Sequence, residues 1–232
     1  MATHFSPEAL KFLRALARHN DREWFTPRKA TFERELKAPM LALIEEVNHA
    51  LAGFAPEHIR PPHKAMFRIY RDTRFAADKR PYKTHVAAWW LRGGLEKTSG
   101  AGFYFHVSAK ETVIAAGMYM PSPEQLLAVR RHLLEHHAEL RGLLNGRKLK
   151  ASMNEFEGTR LTRAPRGFPA DHPGMDLILC RQWGVSATLP AETALSPGLV
   201  KEIVARFKLA ATVVDFLNTP VVKAHAREDL RG

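Results

Sequence analysis

The chain has 232 residues, of which 45% are hydrophobic and 25% are charged. These fractions are typical of a globular protein and exclude disorder over most of the chain. Because Cys180 is the single cysteine, an internal disulfide and a cysteine-based zinc site are also excluded. The first residues carry no signal-peptide core, and no run approaches the roughly 20 apolar residues that span a bilayer, so we expect a cytoplasmic protein without membrane association.

The net charge of +11 is concentrated in two segments. Residues 60–85 contain eight Lys or Arg and two Asp, and residues 141–166 contain seven Lys or Arg and two Glu. The rest of the chain is neutral, with 20 basic and 20 acidic residues. Concentrated positive charge favours an anionic partner, although a solvated basic surface has the same composition.

Helical signals lie at both ends of the chain. Ser6 is placed to cap the first helix with Pro7 at its first position, and Ser122 with Gln125 has the spacing of a capping box. The predicted helices cover about residues 7–18, 26–51, 123–144 and 196–218.

Strand signals lie in the middle of the chain, where short segments are rich in aromatic and β-branched residues. Residues 102–109 alternate in the manner of a half-buried strand, and Lys110 with Glu111 is placed to turn the chain back into the next strand. Such close spacing indicates antiparallel pairing, because parallel strands need long crossovers. The predicted strands are 65–70, 86–91, 102–109, 112–120 and 183–189, with one short strand expected within the loop 145–175.

This distribution predicts an α+β protein with a mainly antiparallel central sheet packed by long helices. No internal repeat or linker divides the chain. We therefore expect a single domain over residues 1–222, followed by a flexible tail over residues 223–232.

The segment 68–85 combines basic residues with a tyrosine, a histidine and two aspartates. Arginine presents a planar fork that suits phosphate or carboxylate, and lysine a compact charge. The candidate anion ligands in this segment are Arg68, Arg71, Arg74, Lys79, Tyr82 and Lys83.

Asp72 and Asp78 have two interpretations. They orient the neighbouring arginines through bidentate pairs, or one of them serves as a general base or holds a metal beside a bound phosphate. If the protein is an enzyme, Asp72, Asp78 and His85 are the candidate catalytic residues, with His85 as the proton carrier. A purely structural charge network remains the alternative.

The pattern from Arg68 to Tyr82, RxxRDxRFxxDKxPY, resembles the signature of the domain of unknown function 2461 family. The resemblance extends over nearly the whole chain, and it implies a mostly bacterial protein family for which no function is established. The further matching stretches are 20–25, 102–106, 117–119, 161–168 and 171–173.

A second dense stretch, residues 161–173, contains three prolines, Arg163, Arg166 and His172. A stiff loop of this kind is suited to form another wall of an anion site, so we expect Arg163 and Arg166 to converge with Arg71 on one cleft. His132 and His136 have a spacing that can bind zinc, but no HExxH motif is present and we expect no metal site. We expect His106 to point into the basic cleft, and Trp89 and Trp90 to lie in the core.

The sequence favours a protein with an Arg-rich pocket for a small anion that carries phosphate or carboxylate. An enzyme acting on a phosphorylated small molecule, a nucleic-acid-binding module and a non-catalytic adaptor with an internal charge network remain the alternatives. The sequence contains no Walker A, GxGxxG or GxSxG motif, so it does not specify a cofactor. It leaves the oligomeric state and the reaction open.

Overall fold

The structure, a computed structural model, describes residues 3–95 and 100–229. It confirms the α+β prediction, with one five-stranded antiparallel sheet in the order β1-β2-β3-β5-β4. The strands are β1 (His85–Leu91), β2 (Gly102–Ser108), β3 (Glu111–Met118), β4 (Asn154–Glu155) and β5 (Trp183–Pro190).

Four long helices and five helices of four residues accompany the sheet in the described part of the chain. The long helices are α1 (Pro7–Arg18), α4 (Ala38–Leu51), α6 (Pro123–Leu144) and α9 (Leu199–Asp229). The short ones are α2 (Arg22–Phe25), α3 (Lys29–Phe32), α5 (Pro62–Ala65), α7 (Arg147–Lys150) and α8 (Met175–Ile178).

The contacts within the chain group it into two compact units, and each is described by itself. The first unit comprises Met1–Trp90, Tyr104–Ile114 and Thr188–Ala205, and the second comprises Leu91–Phe103, Ala115–Ala187 and Arg206–Gly232. The single domain over residues 1–222 stays a prediction.

Capping explains where the helices of the first unit begin. The Ser6 side chain accepts a hydrogen bond from the N–H of Ala9, as expected. The second predicted helix begins earlier than residue 26, because the Asp21 side chain caps α2 by accepting the N–H of Trp24. A 3₁₀ turn, Thr26–Arg28, and a π turn, Glu33–Lys37, interrupt the helical path up to α4.

The core of the first unit contains an aromatic cluster beside aliphatic helix faces. Phe12, Phe25 and Phe32 pack with ring centroids 5.6–6.2 Å apart. Leu13 of α1 and Leu43 of α4 are fully buried in the same unit. The cluster lies beside the segment 66–85, and it fixes that segment as described below.

The predicted strand 65–70 is largely wrong. Ala65 belongs to the short helix α5, because the tandem prolines before it favour a helical turn. Of the rest, only Met66 and Tyr70 form isolated antiparallel bridges, to Ala88 and Tyr82. The segment therefore runs beside the chain at 81–88 without becoming a regular edge strand.

In the second unit, the capping box at Ser122 and Gln125 is present as predicted, and α9 extends beyond the predicted end at residue 218. Pro220 lies inside this helix, where the Thr219 hydroxyl donates to the carbonyl of Asp215. Residues 223–229 are helical in this structure, so the flexibility of the predicted tail stays a prediction. Residues 230–232 of that tail lie outside the described residues.

The second unit also contains a close backbone approach at Gly117. Its φ angle is +140°, and a Cβ atom there would overlap the carbonyl oxygen of Trp183 and the Cα of Gly184. Only glycine fits such a position without strain. This contact fixes β3 beside β5 in that unit.

We predict that Gly117→Ala lowers the free energy of unfolding by more than about 2 kcal/mol, because the new methyl group meets rigid backbone atoms. Urea denaturation followed by circular dichroism measures the change. The control is Gly142→Ala, on α6 with no atom near the new methyl group. It should stabilise the protein by up to about 1 kcal/mol, since alanine favours a helix. Equal effects of the two substitutions would contradict the packing at Gly117.

Candidate anion-binding site

The segment 69–83 forms a closed hairpin in the first unit. The N–H of Arg71 donates to the carbonyl of Pro81 at 2.8 Å, and the N–H of Lys83 donates to the carbonyl of Ile69 at 2.8 Å. Residues 72–80 form a loop whose two ends are held together by these hydrogen bonds. The charged residues of the loop are therefore attached to a fixed base.

Asn20 and the aromatic cluster anchor this base. The side chain of Asn20 accepts the N–H of Tyr82 and donates to its carbonyl, both at 3.0 Å. The ring of Tyr82 is 3% exposed and stacks on Phe25 with centroids 4.1 Å apart. Burial raises the pKa of Tyr82. Tyr82 thus holds the hairpin by its backbone and ring, and contact of its hydroxyl with an anion stays a prediction.

The first charged pair in the loop joins Asp72 to Arg74. The Asp72 carboxylate accepts the backbone N–H of Arg74 at 3.2 Å and its guanidinium in a bidentate pair at 3.0 and 2.8 Å. These hydrogen bonds lower the pKa of Asp72 from 3.8 to about 2. Because the arginine follows the aspartate by two residues, its guanidinium and its backbone N–H both reach the same carboxylate.

Asp78 repeats this arrangement with Arg80. Its carboxylate accepts the backbone N–H of Arg80 at 3.0 Å and the guanidinium at 2.7–3.0 Å, and also takes a hydrogen bond from Arg71 at 2.7 Å. Its pKa lies well below the ordinary value, first because of the bonds from Arg80. The sequence reading omitted Arg80, although the repeated Asp-x-Arg spacing is visible in the sequence.

Ionised carboxylates that are already occupied by arginines are weak bases. The geometry at Asp72 and Asp78 therefore supports the interpretation that they orient arginines. A catalytic role for either residue stays a prediction. Two carboxylates serve three guanidiniums in the loop, because Asp72 pairs with Arg74 and Asp78 is shared by Arg71 and Arg80.

The tip of the loop is closed by Lys79 and exposes an aromatic ring. The Lys79 ammonium donates to the carbonyls of Thr73 and Arg74 at 3.0 and 3.5 Å. Phe75 is 95% exposed, with the Arg74 guanidinium 5.8 Å from its centroid. Lys79 is consequently committed to holding the loop in this structure.

Arg68 differs from the other arginines of the signature. It is exposed and forms no hydrogen bond or ion pair within residues 3–95 and 100–229. It lines a groove of about 340 Å³ together with the aromatic side chains of Phe25, Phe32 and Phe67. Lys29 also lines the groove and has no charged partner in the described part of the chain.

Lys83 is the second uncompensated cation. Its ammonium lies 4.6 Å from the ring centroid of Phe67, and no carboxylate of the described residues pairs with it. Burial, and then the positive charge of Arg68, lower the pKa of Lys83. Arg68 and Lys83 are thus near enough to affect each other, and Arg68 also interacts with the Asp72 carboxylate. A bound anion would stabilise two such neighbouring cations.

Two histidines follow Lys83 on β1 and β2. We call Arg68, Lys83, His85 and His106 together the basic row. His85 of β1 and His106 of β2 have ring centroids 5.1 Å apart. Burial lowers the pKa of each to about 4, and the charges of His106 and Lys83 act in the same direction on His85. Both rings are therefore neutral near pH 7. His106 lies beside His85, and its predicted orientation into the basic cleft stays a prediction.

The second predicted stretch lies in the second unit, in the loop before α8. Arg163 and Arg166 are exposed, and no partner of theirs is found among the described residues. Both ring nitrogens of His172 are hydrogen-bonded within the chain. Its Nε2 donates to the carbonyl of Leu134 at 2.9 Å, and its Nδ1 accepts the N–H of Gly174 at 3.0 Å. The convergence of Arg166 with Arg71 stays a prediction.

Other sequence features have structural surroundings. His132 packs against Phe216, and His136 lies within 4.0 Å of two glutamates. No group of three metal-binding side chains occurs within the described ranges. Trp90 is fully buried as predicted, whereas Trp89 is partly exposed and packs on Phe67. None of the helices in the described ranges combines the length and apolarity that crossing a bilayer requires.

The carboxylate pairs predict a measurable titration. Because the pKa of Asp72 is depressed, its contribution to loop stability is complete above about pH 4 and disappears as the pH falls through about 2. Carbon-13 NMR of the side-chain carboxyl groups should show this low midpoint, and Arg74→Gln should return it toward the ordinary value. Lys110→Gln, in an exposed turn, is the control that should leave the midpoint unchanged. A midpoint near 3.8 in the unaltered protein would contradict the bidentate pair.

Comparison with known proteins gives a family and no relative of known activity. Searches of the curated proteins and of the solved structures found no match. The model of the family described as "Conserved hypothetical protein (DUF2461)" matches residues 8–216, which is most of the chain and includes the whole hairpin loop. The chain therefore belongs to the DUF2461 family.

Proposed function

We propose that this protein binds a small anion, with a phosphate or carboxylate group, between Arg68 and Lys83 of the first unit. The observation that carries the proposal is a pair of neighbouring cations, neither of which is hydrogen-bonded or ion-paired to a carboxylate of the described residues. Arg71, Arg74 and Arg80, by contrast, are matched by aspartates in the loop.

The surroundings of the two cations increase the strength of such a contact. Lys83 is half-buried over Phe67, which itself packs on Trp89 with centroids 4.7 Å apart. Charges interact more strongly beside apolar walls than in water. Arg68 at the groove offers a planar fork, and Lys83 offers a point charge from the aromatic side.

The Asp-x-Arg pairs support this function indirectly. They hold the loop in one conformation without presenting a free carboxylate, so an approaching anion meets no unpaired acidic group of the loop. Preorganisation of this kind lowers the entropy cost of binding. Arg71, Arg74, Lys79 and Tyr82 then act mainly as the support of the site, and direct contacts from them stay a prediction.

We predict that inorganic phosphate, phenyl phosphate or benzoate raises the melting temperature of the protein and gives a saturable heat of binding in titration calorimetry. Arg68→Gln and Lys83→Met should each weaken the affinity by about ten- to a hundredfold, because each removes a charge-assisted hydrogen bond. The same titration with Arg166→Gln tests the predicted contribution of the second unit.

The matched controls are Arg131→Gln and Lys201→Met, which remove the same charges from exposed positions on α6 and α9. They should leave the affinity within about twofold of the original, since neither residue belongs to the proposed site and exposed charges are screened by salt. Equal weakening by the controls, or no response to any anion, would refute the proposed site.

A nucleic-acid-binding function is the second candidate, and the exposed ring of Phe75 favours it. An aromatic side chain flanked by Arg74 and Lys79 is able to stack on a base while the cations contact phosphates. The two aspartates in the same loop disfavour an extended phosphate backbone, so we rank this function second.

Salt dependence distinguishes the two functions. Binding of mixed oligonucleotides should be weak, and the affinity for a small anion should change far less than the roughly thousandfold that several phosphate contacts would lose between about 50 and 200 mM salt. Tight oligonucleotide binding that is strongly salt-dependent and is abolished by Phe75→Ala would instead establish the second candidate. Thr73→Ala, beside the same loop tip, is the control for that substitution.

A further inference from the structure

His85 is a mostly buried histidine whose ring nitrogens have no hydrogen-bond partner within residues 3–95 and 100–229. Neither nitrogen is sealed from solvent. Buried polar groups are nearly always paired, so an imidazole with two open nitrogens in a half-buried place is suited to bind a group from outside the chain.

The neighbours of His85 place it at the anion site. Lys83 lies two residues earlier in the chain, and its charge helps to lower the pKa of His85. On β2, the ring of His106 is 5.1 Å away. His106 itself is occupied, because its Nδ1 is hydrogen-bonded to the Tyr104 hydroxyl at 3.1 Å and its Nε2 is 3.7 Å from the Glu111 carboxylate.

The charges around His85 determine its protonation. Lys83 is the permanent cation that acts on His85, Arg68 acts on Lys83 and on the Asp72 carboxylate, and Glu111 is the carboxylate beside His106. In the free protein the imidazole is neutral near pH 7, because burial and the neighbouring cations disfavour a further positive charge. A bound anion reverses that balance, since it lies between the cations and favours the imidazolium form.

We propose that His85 is the inner ligand of the anion site and that the site binds the dianion of a phosphate monoester while His85 takes up a proton. The inference rests on the proposed function at Arg68 and Lys83. Two permanent cations match a dianion better than a carboxylate with one charge. The several oxygens of a phosphate group also suffice for a guanidinium, an ammonium and an imidazolium donor.

Proton uptake is measured with sulfate as the probe, because sulfate remains a dianion over the whole pH range and cannot itself carry the proton. Titration calorimetry at pH 6.5 in buffers of different ionisation enthalpy should show between about half and one proton taken up per sulfate bound. The affinity should rise as the pH falls from 8 to 5.5, by at most about tenfold per pH unit.

His85→Asn should abolish the proton uptake and flatten the pH dependence, while weaker binding through Arg68 and Lys83 remains. His49→Asn, at an exposed position of α4, is the matched control and should retain the proton uptake. At pH 7, phenyl phosphate should bind at least about tenfold more tightly than benzoate, which carries the same ring and a single charge.

The outcomes separate the two proposals. If sulfate binds and depends on Arg68 and Lys83, but binds without proton uptake and unaffected by His85→Asn, the role of His85 is wrong and the anion site stands. If benzoate binds as tightly as phenyl phosphate, the assignment to phosphate monoesters is wrong. If no anion binds, the proposed function itself fails. Nitrogen-15 NMR of the His85 ring, read in the folded variants, verifies which nitrogen is protonated on binding.

Discussion

The antiparallel contact between the chain at 66–71 and the chain at 81–88 is the constraint on which the candidate site depends. It is not a regular strand pair, since only two isolated bridges form. A regular strand pair would form more backbone hydrogen bonds here. Instead, the Asn20 side chain hydrogen-bonds the N–H and the carbonyl of Tyr82, and Phe25 stacks on the tyrosine ring. The loop tip and the basic row both extend from this fixed base.

Charge in the segment 68–85 is divided between two roles. In the loop, each aspartate takes up the arginine two residues later, so that much of the positive charge holds the loop in shape. At the base of the loop, Arg68, Lys83 and His85 have no hydrogen-bonded or ion-paired carboxylate among the described residues, and Asp72 interacts with Arg68 only at longer range. An anion bound between Arg68 and Lys83, as we propose, would relieve the repulsion between these two cations.

The sheet gives this basic row its position and its dielectric surroundings. Alternation along β2 sends Phe103, Phe105 and Val107 into buried positions and leaves Tyr104 and His106 half-buried beside the row. The Phe67 ring lies against the Lys83 ammonium, and His85 and His106 are mostly buried. This combination accounts for the depressed pKa values of Lys83, His85 and His106.

The sequence by itself determined the α+β class, the hairpin of β2 and β3 and the helix caps at Ser6 and Ser122, because these depend on local patterning and capping chemistry. It also located the segment with unusual charge. The strand predicted at 65–70 was largely wrong, since tandem prolines favour a helical turn at its start and only two isolated bridges form beyond it.

The tertiary structure decided how the other cations are compensated. The Asp-x-Arg spacing already pairs Asp72 with Arg74, but only the fold brings Arg71 to Asp78 and leaves Arg68 without a hydrogen-bonded carboxylate in the described residues. The burial of Tyr82, the meeting of His85 with His106 and the groove beside Lys29 likewise join residues that lie far apart in the chain. Such contacts depend on how segments pack in three dimensions, and local propensity carries no information about them.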